Sequence, residues 1–181
     1  RTPAGERLQV RSTRQVSFTE RHLTLMTLEV TLLEGVAPVT VSSQLLNRQD
    51  GQDEYHVADA ALGEGDDPRQ AQPMDHRVLL PRLSRVRNGR ATLGYCCANS
   101  QMTVACAVEH LVEADCELEV KTEVDDDTAK SVVHTRMVAG QTLKITKFAA
   151  FHTSRGVPPD ELADRCDDTL DRAIKRGADA L

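Results

Sequence analysis

Six histidines are the side chains best suited to acid–base chemistry or metal binding in this 181-residue chain. A zinc or similar ion needs three or four ligands that converge on one point. No two of the histidines stand at a spacing that would place them on one face of a helix or strand near a third ligand. We therefore predict no metal site and interpret them as surface or sheet-edge residues. They are His22, His56, His76, His110, His134 and His152.

Acidic residues are frequent but follow no catalytic or metal-binding pattern. The segments "DGQDE" (50–54) and "GEGDD" (63–67) contain acids and glycine without the alternating ligand positions of a calcium loop. A carboxylate pair for glycoside chemistry could be drawn from them, yet the acids are too numerous for any pair to stand out. The chain has no nucleophile elbow and no glycine loop before a helix. The sequence therefore predicts no catalytic residue here.

The five cysteines favour a reducing compartment. Their number is odd, and no two form a C-x-x-C pair or a spacing that suits zinc, so we predict a cytoplasmic protein. Cys106 and Cys116 alternate with their neighbours in strand-like segments, which predicts that both point inward as small apolar residues. A disulfide between neighbouring strands is the alternative.

Composition excludes several classes of partner. The net charge is −6 and no stretch concentrates Lys and Arg, so we expect no nucleic-acid partner. Apolar runs are only a few residues long, far short of the ~20 needed to cross a bilayer, so we expect no membrane partner. With no Trp and few other aromatic residues, an independent carbohydrate-binding module is disfavoured. Phe18, Phe148 and Phe151 fall in strand patterns and are predicted to be core residues.

Alternation of apolar and polar residues with a period of two predicts strands along most of the chain. It is clearest in "CELEVKTEV" (116–124) and "MTVACAVEHLV" (102–112). Asn88-Gly89 is a strong hairpin signal. We predict roughly ten strands between Glu6 and Phe151, joined mostly by short turns. Such strands form antiparallel sheets that cover each other's apolar faces, so the fold class is mainly β, a sandwich.

One connection is out of proportion to the others. Residues 48–75 are polar, contain Gly and Pro, and far exceed the ~2–6 residues that usually join strands. A segment of this kind is either disordered or functional.

The C-terminal segment changes to a helical period. Apolar residues recur every four positions, Pro159 suits a first helical turn, and Gly177 follows two basic residues at the far end. A helix with a single apolar stripe must either lie on the sheet or lead into a helical domain beyond Leu181. The stripe comprises Leu162, Cys166, Leu170 and Ile174.

Two long stretches, "GERLQVRSTRQVSFTERHLTLMTLEVTLLEGVAPVTVSSQLLNRQDG" (5–51) and "LKITKFAAFHTSRGVPPDELADRC" (143–166), resemble the N-terminal domain of glycoside hydrolase family 65. That family includes maltose, trehalose and kojibiose phosphorylases and related disaccharide hydrolases of carbohydrate metabolism. The resemblance implies an antiparallel β super-sandwich of the galactose-mutarotase-like type over residues 1–154, without its first strands. Residues 155–181 would be a linker helix that leads to an absent (α/α)6 barrel.

The resemblance also implies where the chemistry lies. A glutamate in the barrel would protonate the leaving oxygen during inverting attack on an α-glucosidic bond by phosphate or water. Phosphate would be a co-substrate of a parent phosphorylase, and no cofactor is implied. This chain alone would be inactive. Its partners would be its own barrel, a second copy in a homodimer and, for the parent enzyme, an α-linked glucose disaccharide.

The resemblance implies roles for two sets of residues. Arg48, Asp50, Asp53 and Glu54 match a loop that approaches the substrate side, with solvated loop charges as the alternative interpretation. Leu162, Cys166, Leu170 and Ile174 would face the barrel.

Two other functions remain open at this point. One is a free-standing sugar epimerase of the mutarotase type, for which His76 or His110 and Glu109 are the candidate acid and base. The other is a module that serves assembly alone and never contacts substrate.

Overall fold

The computed structural model describes residues 5–47 and 77–180. Within these ranges the chain forms nine strands, one α-helix and a short 3-10 turn at Ala178–Ala180. The strands are β1 (Arg7–Val16), β2 (Leu23–Glu34), β3 (Val36–Leu46), β4 (Leu79–Arg87), β5 (Arg90–Cys97), β6 (Met102–Ala114), β7 (Leu118–Val124), β8 (Thr128–Val138) and β9 (Thr142–Arg155), and the helix is α1 (Pro159–Arg176).

The strands form two antiparallel sheets. The larger has six strands in the order β1-β2-β9-β6-β5-β4, and the smaller has three in the order β3-β8-β7. Asn88 and Gly89, with φ of 51° and 82°, make the turn between β4 and β5, as a two-residue hairpin requires. The predicted mainly β sandwich is confirmed, with nine described strands where roughly ten were expected.

The core between the sheets follows from the period-two alternation of the strands. One apolar cluster joins Leu32, Leu143 and Ile145 of the large sheet to Val133 and Met137 of the small one. A second cluster lies nearer to the β4–β5 hairpin, and its buried members are Ala91, Leu93, Tyr95, Val108, Ala129 and Ala149.

Helix α1 covers the other face of the large sheet, so the molecule has three layers. Leu162, Cys166 and Leu170 are fully buried there, and Ile174 is packed against the same cluster. The interpretation of this stripe as a surface facing a barrel is therefore wrong. The stripe is covered by the chain's own sheet, because burying it removes apolar surface from water without any partner.

Small residues on the sheet let the helix approach closely. Ala105, Ala107 and Ala150 are all buried beneath it. At Gly94 a Cβ atom would come within 3.1 Å of Pro159 Cβ, so a larger residue would push the start of the helix away. The predicted helix signals are confirmed: α1 starts at Pro159, has acids in its first turn, and ends at Arg176, directly before Gly177 with φ of 81°.

Two of the three phenylalanines depart from the predicted core. Phe148 is fully buried beneath the helix, but Phe151 is 41% exposed and Phe18 is 99% exposed. Phe18 lies in the loop between β1 and β2, outside the strand that its sequence context suggested. Cys106 is buried as predicted and Cys116 is half-buried, and all five thiols are free.

Candidate functional site

The two ends of the long connection meet at the turn between β7 and β8. Asn47 donates its side-chain N–H to Asp127 Oδ1 at 3.0 Å, and its backbone N–H to the Asp127 carbonyl at 2.8 Å. Arg77, at the other end, forms an ion pair with the same carboxylate. Asp127 thus binds both ends of the connection at one corner of the sandwich. We call Asn47, Arg77 and Asp127 the loop base.

The β7–β8 turn that carries Asp127 is itself held in place. Asp125 accepts hydrogen bonds from the backbone N–H groups of Asp127 and Thr128, at 2.8 and 2.6 Å. The Tyr95 hydroxyl donates to the Asp126 carbonyl at 2.9 Å. Burial, together with the Asp127 carboxylate, raises the pKa of Tyr95 to about 12, so this hydroxyl remains a donor at any physiological pH.

The predicted substrate-side residues belong to the connection above this base. Arg48, Asp50, Asp53 and Glu54 lie outside the described residues, and their role stays a prediction. The residues of the loop base were missed by the sequence analysis. The signal that could have found them is a polar side chain near each end of the long connection, Asn47 and Arg77, together with the acid-rich turn at residues 125–127.

A second polar group lies between the two sheets. His110 Nε2 of β6 lies 2.8 Å from Ser43 Oγ of β3, and Lys147 Nζ of β9 donates to the Gln44 carbonyl at 2.8 Å. Burial, with the charge of Lys147 nearby, lowers the pKa of His110 to about 4. Burial also lowers the pKa of Lys147. His110 is therefore neutral near pH 7 and ties one sheet to the other.

His110 and Glu109 do not converge on a common substrate position. As consecutive residues of β6 they point to opposite faces of the large sheet. Glu109 faces the helix side, where its Oε2 lies 2.6 Å from Arg90 Nη2, whereas His110 faces Ser43 between the sheets. This geometry overturns the acid–base pair suggested for a sugar epimerase. The alternative candidate His76 lies outside the described residues.

The helix is bound to the large sheet by an ionic network. Arg90 lies 2.5 Å from Asp171 and also pairs with Glu109, while Arg85 lies 2.8 Å from Asp167. Burial of Arg90 opposes its charge, but the hydrogen bonds that it donates to Asp171 and Glu109 outweigh that effect and raise its pKa. These acids are engaged in holding the helix and are not free for proton transfer.

Two histidines join the same helix to the end of β9. The rings of His22 and His152 stack with centroids 4.0 Å apart. His152 Nε2 lies 3.0 Å from Thr169 Oγ1 on the helix, and His22 Nδ1 lies 2.9 Å from the Phe151 carbonyl. Burial, the neighbouring His22 and the charges of Arg165 and Arg172 lower the pKa of His152.

Residues 5–47 and 77–180 offer few other side chains suited to metal binding or catalysis. These ranges contain no group of three or more His, Cys, Asp or Glu side chains that could hold a metal ion. Burial raises the pKa of Cys106, and that of Cys166 to about 12, so both are inert thiols. Hydrogen bonds from Ser100 lower the pKa of Cys97, at the β5–β6 turn. In the same ranges we find no helix with the length and apolar character needed to cross a membrane.

Comparison with known proteins agrees with this architecture. The sequence model of glycosyl hydrolase family 65, N-terminal domain, matches residues 1–181. The chain belongs to this family. The resemblance inferred from residues 5–51 and 143–166 is thereby confirmed.

Relatives of the family 65 domain are much longer than this chain. An uncharacterised glycosyl hydrolase of Mycobacterium tuberculosis is 30% identical over 151 residues, which cover 83% of this chain and 18% of the relative. The α,α-trehalose phosphorylase of Thermoanaerobacter brockii is 21% identical over 180 residues, 99% of this chain and 22% of that enzyme. The chain therefore spans about a fifth of the length of the curated relatives it matches.

A solved structure shows the same fold. A human-microbiome protein assigned as a kojibiose phosphorylase superposes with a TM-score of 0.71 at 8% identity, over 96% of this chain and 20% of that one. At this identity the likeness concerns the fold alone. It extends over the helix as well as the two sheets, since almost the whole chain is matched.

Proposed function

We propose that this domain is the non-catalytic sandwich of an inverting disaccharide phosphorylase or hydrolase that acts on an α-linked glucose disaccharide. Family membership supports the class of enzyme. The observation that carries the non-catalytic role is the engagement of the titratable groups. Glu109 pairs with Arg90, His110 bonds Ser43 between the sheets, and the two point to opposite faces.

In this proposal the sandwich supports a catalytic (α/α)6 barrel in the longer polypeptide and contributes to a homodimer. The length of the relatives supports a further catalytic domain, since the chain covers only 18% and 22% of two of them. Phosphate serves as co-substrate if the parent is a phosphorylase, and the chain itself needs no cofactor. The free thiols favour a cytoplasmic location.

The experiment compares chain 1–181 with the natural polypeptide that contains it. Both are assayed with maltose, trehalose and kojibiose, with and without phosphate. We expect turnover only by the longer polypeptide. Comparable turnover by chain 1–181 would refute the non-catalytic role, and rapid equilibration of α-glucose by chain 1–181 would favour an epimerase instead.

We further propose that Arg48, Asp50, Asp53 and Glu54 approach the substrate side of the barrel. The clamp of Asn47 and Arg77 on Asp127 supports this, because it directs both ends of the connection to one corner of the sandwich. Charge reversal at Arg48 and Asp50 in the longer polypeptide is expected to raise KM. An unchanged KM would indicate that the sandwich serves assembly alone.

A further inference from the structure

The loop between β1 and β2 presents an aromatic side chain to solvent without any cover. Phe18 is 99% exposed, more than any other large apolar residue in the described ranges, and Val16 beside it is 69% exposed. Leaving this much apolar surface in water has a free-energy cost. Isolated exposed apolar residues are common, but here two large ones, Val16 and Phe18, are exposed within three residues of each other at one loop.

The loop that carries Phe18 is braced from within. Ser17 is buried, and its Oγ accepts the backbone N–H of Glu20 at 3.0 Å and lies 3.2 Å from Thr19 Oγ1. The backbone N–H of Leu23 then donates to the Glu20 carbonyl at 3.0 Å. Phe18 therefore stands on a preformed turn, and binding a partner through it would require little ordering of the backbone.

The same loop is tied to the end of the helix. Glu20 lies 3.2 Å from Arg176 and 3.7 Å from Arg172, and its side chain is only 20% exposed. Arg176 is the last residue of α1. The chain therefore leaves α1 next to the loop that carries Phe18.

We propose that Phe18, with Val16 beside it, is the apolar anchor by which this domain docks onto the domain that follows helix α1 in the longer polypeptide. The inference rests on the proposed function, in which that following domain is the catalytic barrel. The anchor fills an apolar surface pocket of the following domain, as buried aromatic anchors do at the centres of protein interfaces.

The charges around the anchor favour docking onto the following domain over contact with a second copy of the chain. Arg14 on β1 and Arg21 in the loop are both exposed and flank Val16 and Phe18. A two-fold contact through the anchor would bring like charges together, which disfavours it. The complementary partner surface has an acidic rim around an apolar pocket.

The test is hydroxyl-radical footprinting of chain 1–181 and of the natural polypeptide that contains it. We expect Phe18 to be oxidised at least about tenfold more slowly in the longer polypeptide, because the ring is excluded from solvent at the interface. Val138, which is 46% exposed near the opposite end of β2, is the internal control and should react equally in both. Equal rates at Phe18 would overturn the proposal.

A second measurement distinguishes docking onto the following domain from contact with a second copy of the chain. Protection of Phe18 that depends on protein concentration would indicate a second copy and would also overturn the proposal. Phe18→Ser should leave the melting temperature of chain 1–181 unchanged and remove the protection of Val16 in the longer polypeptide, while Val138→Ser removes none. Protection of Phe18 from oxidation does not depend on turnover. If the longer polypeptide were inactive but still protected Phe18, the proposed function would be refuted and the role of Phe18 as an anchor would stand.

Discussion

His110 illustrates how a single titratable side chain is used structurally in this domain. It lies between the sheets, where its Nε2 meets Ser43 Oγ and Lys147 is near. A protonated imidazole there would be partly removed from water and close to another cation, so the neutral form is favoured. A residue that suggests acid–base chemistry in the sequence thus joins two layers of the fold.

Stability is expected to fall as the pH decreases from about 6.5 towards 4. The pKa of His110 is about 4 in the folded chain and near its ordinary value of 6.5 in the unfolded chain. Between these values the unfolded chain binds more protons, so protonation favours unfolding, by at most about 3 kcal/mol for this residue. Urea unfolding of the wild type at pH 7 and pH 4.5 measures the change.

His110→Gln is the variant that isolates this contribution. Gln can still hydrogen-bond Ser43 but does not titrate. Because the pKa of His152 is also lowered, the free energy of unfolding of the variant should still fall at low pH, but by less than that of the wild type. If the wild type and the variant lost the same free energy of unfolding between the two pH values, the role assigned to His110 would be wrong.

Helix α1 is integral to the fold of this domain. Its apolar stripe is buried against β6 and β9 of the large sheet, over Ala105, Ala107 and Ala150. Around the edge of this contact, Arg85 and Arg90 of β4 and β5 reach acids on the helix. The helix is therefore held by apolar packing at its centre and by charge pairs at one side.

Leu170→Ala is expected to lower the free energy of unfolding by about 2–5 kcal/mol, because it leaves a cavity between helix and sheet. Leu170 has no exposed surface. Asp168→Ala, on the exposed side of the same helix, should change stability by no more than about 0.5 kcal/mol. Chemical denaturation compares the two, and a similar small effect for both would mean that the helix is not docked in solution.

Arg90→Ala is expected to cost about 2–4 kcal/mol, because Glu109 and Asp171 would lose their shared cation and Glu109 is largely buried. Arg7→Ala removes an exposed pair with Glu34 and should cost less than about 1 kcal/mol. Denaturant midpoints of the two variants provide the measurement. Equal losses would show that burial does not distinguish the two pairs.

The two sheets of the molecule differ in width, and this leaves surface uncovered. Leu8 and Leu32 on β1 and β2 face the small sheet and pack against it. Val10 and Met26 lie on the same face by strand alternation, yet they are 60% and 43% exposed. Three strands therefore do not cover all of the six-stranded sheet.

The outer edges of the sheets are not equally protected against further pairing. Strand β3 is an edge of the small sheet, and its sequence "VAPVTVSSQLL" has no charged residue over 11 positions. The edge strands β1, β4 and β7 all carry charged side chains, which discourage pairing with another chain. On β3 only Pro38 interrupts the edge.

Chain 1–181 is expected to self-associate at high concentration through β3. Ser42→Lys places a charge on the exposed side of this strand and should reduce the associated fraction severalfold, because a lysine on an edge disfavours pairing. Thr13→Lys, on the already basic β1, is the matched control and should have little effect. Sedimentation velocity measures both, and equal behaviour would exclude β3 as the contact.

Much of this domain was predictable from local sequence. The period-two alternation identified the strands, Asn88-Gly89 the β4–β5 hairpin, and Pro159 and Gly177 the two ends of the helix. These features depend on backbone preferences and on the burial of alternate residues, both of which act over a few neighbouring positions. The order of two long stretches was sufficient to identify the family.

The tertiary structure decided which surface each apolar or polar side chain meets. Periodicity showed that one stripe of α1 needs cover, but the same stripe would suit either a barrel or the chain's own sheet. Likewise, the sequence did not reveal that Asp127 binds both ends of the long connection, that His110 meets Ser43, or that Phe18 lies in solvent. These outcomes depend on contacts between residues far apart in the chain, and local preferences carry no information about them.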